Sequence, residues 1–153
     1  MVHLGDYIYE YGRWEANWKV SGRLHEPAHE IVKLSDYRER YAQYHRDPHL
    51  QALHAAHPMI AVWDDHEIAN NSFETGAQNH QPEEGSYAAR RAAAMQAYRE
   101  WMPIRPTSEK GYRAVKFGAM VDLLMIETRL DGRTQAVSKE AERHRPAATH
   151  HMM

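Results

Sequence analysis

The chain has 153 residues, no cysteine, 19 basic and 21 acidic side chains and a net charge of −2. That length suits one domain able to bury roughly 68–70% of its unfolded surface, so a true core is expected. The even charge with no basic stripe argues against a nucleic-acid-binding surface, the lack of cysteine excludes disulfide frameworks and thiolate metal sites, and no apolar run reaches membrane-spanning length.

Val2-His3-Leu4 reads as a strand end stopped by Gly5-Asp6. Residues 10–34 carry glycine and proline breaks among scattered aromatics, so a long ordered loop is expected. Ser35 is the predicted cap of a helix to about His45, with Tyr37, Tyr41 and Tyr44 on one face. Asp47-Pro48 starts a second helix, because Asp caps and Pro suits the first helical position. Pro58 ends it, and Met59–Trp63 reads as a buried strand. Residues 70–85 are polar and turn-rich, and the alanine-rich run 86–102 predicts a helix that Pro103 and Pro106 stop. "GYRAVKFG" and "AMVDLLMIET" predict a hairpin through Gly118-Ala119. The charged residues from about Ala136 onward are expected to fray. This order of strands and helices indicates α/β or α+β.

Two segments share one design. "HLGDYIYEYG" ends a short strand at Asp6, and "MIAVWDDHE" ends another at Asp64-Asp65-His66-Glu67. Three acids in a row repel one another, and desolvating them costs several kcal/mol per ion unless something pairs with them. Either the run is solvated or a cation sits there. Sites in open α/β sheets gather at the carboxyl ends of strands, so Asp6 and Asp65 converge if the two strands are neighbours. Carboxylates, an imidazole and a phenol suit iron, manganese, zinc, calcium or magnesium. Tyr9 lies close enough to Asp6 to join the same ion.

The bland readings stand beside these. Asp6 alone also reads as a turn former, and Tyr9 as a ring packed on the loop. His25, His29, His45, His49, His54 and His57 read mostly as structural. Arg90 and Arg91 read as a solvated helix face, Asn70-Asn71 as a turn, and Trp14, Trp18, Trp63 and Trp101 as packing residues. His150 and His151 are set apart as tail residues.

"HLGDYIYEYG", "DYRERYAQYHRDPHLQALHAAHPMIAVWDDHEIANN", "RRAAAMQAYREWMPIR" and "DLLMIETRLDGR" closely resemble the alkaline phosphatase D (PhoD-like) family of calcineurin-like metallophosphoesterases. The resemblance runs to about Gln135 and implies part of an α/β/β/α sandwich, incomplete here, around a multi-metal centre. The family's GDxxY motif matches Gly5, Asp6 and Tyr9; its GNH(D/E) motif corresponds to Asp64, Asp65, His66 and Glu67, with Asp in place of Gly and Asn. By that resemblance Asp6 bridges two metals, Tyr9 binds iron, Asp64 and Asp65 serve metals including calcium, and other divalent ions are conceivable. His66 contacts phosphate or protonates the leaving group, and Glu67 orients His66. The implied chemistry is hydrolysis of a phosphate ester by a metal-bound hydroxide.

The family's upstream metal motif and its downstream VxxH and GHxH motifs are not matched, and His144 lies in a divergent tail. Residues 1–135 therefore read as the central part of a larger phosphatase domain and 136–153 as a tail. The alternative expectation is an inactive remnant that binds metal weakly or self-associates through unpaired strands. The family is typically exported; no signal peptide is read at this N-terminus, so the chain as written is expected to be cytoplasmic.

Overall fold

The computed structural model describes residues 1–13, 24–105 and 112–136. The predicted roles of Trp14, Trp18, Pro106 and the tail histidines fall outside them. Strand β1 (Val2–His3) runs parallel to β2 (Ile60–Ala61), with Val2 beside Ile60 and His3 beside Ala61. The predicted strand over Met59–Trp63 is thus shorter than expected, because its partner offers only two residues. Strands β3 (Arg113–Phe117) and β4 (Val121–Met125) form the expected antiparallel hairpin. Its inner positions are half-buried or buried, while Leu124 and Ile126 remain exposed.

Three helices pack around these strands. Helix α1 (Leu34–His45) sets Tyr37, Arg40 and Tyr41 on its buried stripe. Ser35 is not its cap. It lies inside the first turn with its hydroxyl engaged by Asp36 Oδ1 at 3.0 Å. The Asp36 carboxylate does the capping, accepting the backbone N–H groups of Val32 and Lys33 at 3.2 and 2.9 Å. Helix α2 (Pro48–Ala56) is capped as expected: Asp47 accepts from the N–H of His49 and Leu50 at 2.8 and 3.0 Å.

Helix α3 (Tyr87–Trp101) crosses α1 on a face where Ala94 and Ala97 let the backbones approach, flanked by Met95 and Tyr98. Arg90 departs from the solvated helix face expected of it. Its side chain is buried, not solvated, and bonds Glu30 Oε1 at 2.7 Å, Glu84 Oε2 at 3.1 Å, the Tyr37 hydroxyl at 3.1 Å and the Ile31 carbonyl at 2.9 Å. Two carboxylates and a carbonyl turn an arginine inward, because each buried donor finds an acceptor. Arg91 is half-exposed.

Arg40 works the same way on the loop after β1. Its guanidinium donates to the carbonyls of Tyr9, Tyr11, Glu26 and Pro27. The loop thereby gains the backbone partners that a strand would have supplied. Mixed helix and strand agree with the α/β expectation. No helix among the described residues is long and apolar enough to cross a membrane.

Candidate metal centre

The parallel pairing of β1 and β2 brings their carboxyl ends together. Gly5 (φ 103°) and Asp6 (φ 57°) both take left-handed backbone to leave β1. Gly5 must be glycine for a second reason. A Cβ there would lie 2.4 Å from both Cβ and N of Asp64, so the two strand-end loops touch at this residue. Asp is among the few other residues that enter left-handed backbone readily.

Asp6, Asp65 and His66 each place one ligand atom within 4.8 Å of the others'. Asp6 Oδ1 is buried and has no hydrogen-bond partner among the described residues. Asp6 Oδ2 accepts from the Tyr9 hydroxyl at 3.5 Å. Burial raises the Asp6 pKa, with Asp65 and Asp64 adding to the rise and the His66 ring opposing it. Tyr9 is pushed up to about 12, first by burial and then by Asp6.

Asp65 is buried, and its Oδ2 accepts from the backbone N–H of Asn71 at 2.5 Å. Asn71 itself sits at φ 54°, consistent with the turn expected there. Asp64 faces another way. Both its oxygens pair with Arg129, whose Nη2 also lies 3.3 Å from Asp65 Oδ1. Glu127 builds the turn that delivers Arg129 by accepting the N–H groups of Arg129, Leu130 and Asp131, at 2.7, 2.8 and 2.7 Å. The acid run thus divides: Asp64 is neutralised within the chain, and Asp65 joins the three-residue group.

Glu67 does not reach His66. It is fully buried and accepts three backbone N–H groups, from Tyr7 at 2.5 Å, Asp64 at 2.7 Å and Asp6 at 3.2 Å. It ties the two strand-end loops to each other. Burial lifts its pKa to about 7 against the pull of those three bonds. The carboxylate that meets His66 is Glu10, with Oε2 at 2.7 Å from Nδ1. Burial alone would lower the His66 pKa, but the Glu10 hydrogen bond and charge, with Asp65 and Asp6, raise it on balance.

Glu10, Arg129 and Arg40 were missed in the sequence. Glu10 carried one signal, a lone acid between two tyrosines directly after the GDxxY stretch. Arg129 lies in "ETRLDGR", which was matched as a whole but assigned no role. The donors present suit a hard cation. They comprise two carboxylates, one with an unspent buried oxygen, a phenol 3.5 Å away and an imidazole.

The family model of PhoD-like phosphatases matches residues 1–153. Alkaline phosphatase D of Bacillus subtilis (strain 168) is 44% identical over 140 residues, taking in 84% of this chain and 23% of that protein. The solved structure of PhoD superposes with a TM-score of 0.73 at 41% identity, covering 84% of this chain and 26% of that one. The chain therefore spans about a quarter of the length of these relatives. With its fold, its strand-end acids and this likeness in accord, the chain belongs to the PhoD-like phosphatase family.

Proposed function

We propose that the chain carries the metal-binding core of a phosphoesterase acting on phosphate esters. The observation that carries this reading is the buried, unpartnered Asp6 Oδ1 beside Asp65 and His66 at adjoining strand ends. A buried carboxylate oxygen without a partner is costly, and a bound cation satisfies it. Asp6 and Asp65 would hold the ion or ions, Tyr9 would add a phenolate suited to iron, and calcium would suit the carboxylates. Asp64 would serve metal only at the expense of its pairing with Arg129. Bound cations of this kind polarise phosphoryl oxygens and lower the pKa of water.

The chain's own groups have separate tasks. Glu67 keeps the Asp6 and Asp64 backbones in register. His66, anchored through Nδ1, has Nε2 left to hydrogen-bond a phosphate or protonate a leaving group. Residues 1–135 are read as the central part of an α/β/β/α sandwich and 136–153 as its divergent tail. The exposed Leu124 and Ile126 of the hairpin are a surface through which copies of the chain would associate.

The test is titration of the metal-stripped 153-residue chain with calcium and with ferric iron. Hydrolysis of a chromogenic phosphate monoester and diester is followed in parallel. Saturable binding is expected in the parent and lost in Asp6→Ala and in Asp65→Ala. A visible iron charge-transfer band is expected and should vanish in Tyr9→Phe. Binding that survives both Asp substitutions unchanged would sink the assignment.

A further inference from the structure

The β1 loop, the end of α1 and the middle of α2 meet at one oxygen. The Tyr7 hydroxyl has His45 Nε2 at 3.1 Å and His54 Nε2 at 2.9 Å. The two imidazole planes are stacked, 22° apart with centroids 5.6 Å from each other. Both rings thus present the same nitrogen to the same point. Both residues are half-buried, which leaves them within reach of solvent.

Helix α2 is short of anchors. It buries no side chain fully. Among the described residues its His54 ring hydrogen-bonds only through Nε2, and Nδ1 is enclosed without a partner. Nothing on the far side of the ring fixes its angle, so Nε2 can turn to meet a ligand. The pairing with Tyr7 is also lopsided. A hydroxyl has one proton, so at most one of the two nitrogens accepts from it.

We propose that His45 and His54, with the Tyr7 hydroxyl, form a second cation site that takes zinc and staples α2 to the β1 loop. The donor set selects the ion. Imidazoles suit zinc and its borderline neighbours, whereas calcium takes oxygen ligands. The carboxylates at the strand ends lean the other way. The spacing agrees with the chemistry. Zinc holds an imidazole nitrogen at about 2.0–2.1 Å, so two ligands of a tetrahedral zinc lie about 3.3 Å apart. The nitrogen–oxygen distances of 3.1 and 2.9 Å are near that edge length already. The hydroxyl serves as a neutral oxygen donor, and water completes the shell. Burial lowers the His45 pKa, so this ring is uncharged at neutral pH, as a ligand must be. Ligation through Nε2 leaves the His54 Nδ1–H unmet, which holds the affinity below that of a closed site with four protein ligands.

The test is zinc titration of the 153-residue chain carrying Asp6→Ala, which removes the central acid of the strand-end group. Calorimetry and thermal unfolding are the readouts. Saturable zinc binding is expected, with a thermal midpoint that climbs with zinc and not with calcium. His45→Gln and His54→Gln, each added to that background, should bind one zinc fewer per chain and lose the climb. Should a variant fail to fold, the imidazole ¹⁵N spectrum of the parent decides alone: saturating zinc should shift the Nε2 resonances of both His45 and His54. Absence of zinc binding, an unchanged stoichiometry in either folded histidine variant, or unmoved His45 and His54 resonances overturns the proposal. Neither substrate nor the strand-end acids enter this measurement, so its failure leaves the phosphoesterase reading standing, and failure of that reading leaves this site standing.

Discussion

Two regions meet at the ends of β1 and β2, and they treat buried charge in opposite ways. Behind the strand ends, Arg40, Arg90 and Glu67 direct their hydrogen bonds onto backbone and partner side chains. At the mouth, Asp6 keeps an oxygen with no partner among the described residues, and Asp65 sits beside it. The first region is a brace and the second is a site. The distinction lies in unspent hydrogen-bonding capacity more than in burial, since Glu67 is more buried than Asp65.

The largest effect should come from breaking the brace. Arg90→Met leaves Glu30 and Glu84 without their buried partner. Removing one member of such a cluster costs about 3–5 kcal/mol. The urea midpoint should fall accordingly, and a midpoint near that of the parent would mean that Arg90 is no brace. Next in size is the seam where the two regions touch. Gly5→Ala combines left-handed backbone with a Cβ 2.4 Å from Asp64. It should cost at least about 2 kcal/mol and should weaken calcium binding as well, because the Asp6 and Asp64 backbones must part. Loss of stability with calcium binding intact would show that the loops tolerate separation.

The site was more legible in the sequence than the brace. Asp6 and Asp65 each end a short apolar run, and parallel neighbours bring such ends together without further information. The Asp47-Pro48 start, the alanine-rich helix and the hairpin through Gly118 were local signals and appear where expected. From sequence alone Arg90 reads as solvated, because a helix-surface arginine looks the same whether or not acceptors await it. Glu30 lies 60 positions away and Tyr37 lies 53 away. The contact with His66 expected of Glu67 is made by Glu10 for a similar reason. Sequence adjacency pointed Glu67 at His66, whereas the turn through Asp65–Ala69 directs it back to the β1 loop and leaves His66 to an acid from across the fold. That Asp64 pairs with Arg129 through both its oxygens was not legible, because Arg129 lies 65 positions away.

Asp6→Asn sharpens the comparison by changing sign. The carboxylate is held near two others and its pKa is raised first by burial, so neutralising it relieves the fold. Stability should rise slightly while calcium binding is lost, as when a strained functional group is removed. Thermal unfolding and calorimetry on one sample read both effects. A variant less stable than its parent would place Asp6 with the brace.

The smallest effect concerns a soft spot behind the loop. The Tyr7 hydroxyl touches Nε2 of both His45 and His54, at 3.1 and 2.9 Å. Tyr7 has one proton to donate, so at most one of these rings accepts from it and at least one donates to it. His45 also faces the edge of Trp101 and a stacked His54, with no carboxylate among its ring contacts. Burial, then the His54 charge, lowers its pKa below the ordinary 6.5. Between the folded and unfolded values, the unfolded chain holds a proton that the folded chain does not. This ring's contribution to stability is therefore present above pH 6.5 and lost as pH falls through the folded pKa. His3 and His25 are lowered by burial too and add to the same slope. In His45→Gln the decline of stability below pH 6.5 should be shallower than in the parent, with the His3 and His25 share remaining. Urea unfolding at a series of pH values measures both slopes. Parallel slopes would show that the Tyr7 cluster carries no protonation strain, and that the brace behind Asp6 is as fully satisfied there as it is around Arg90.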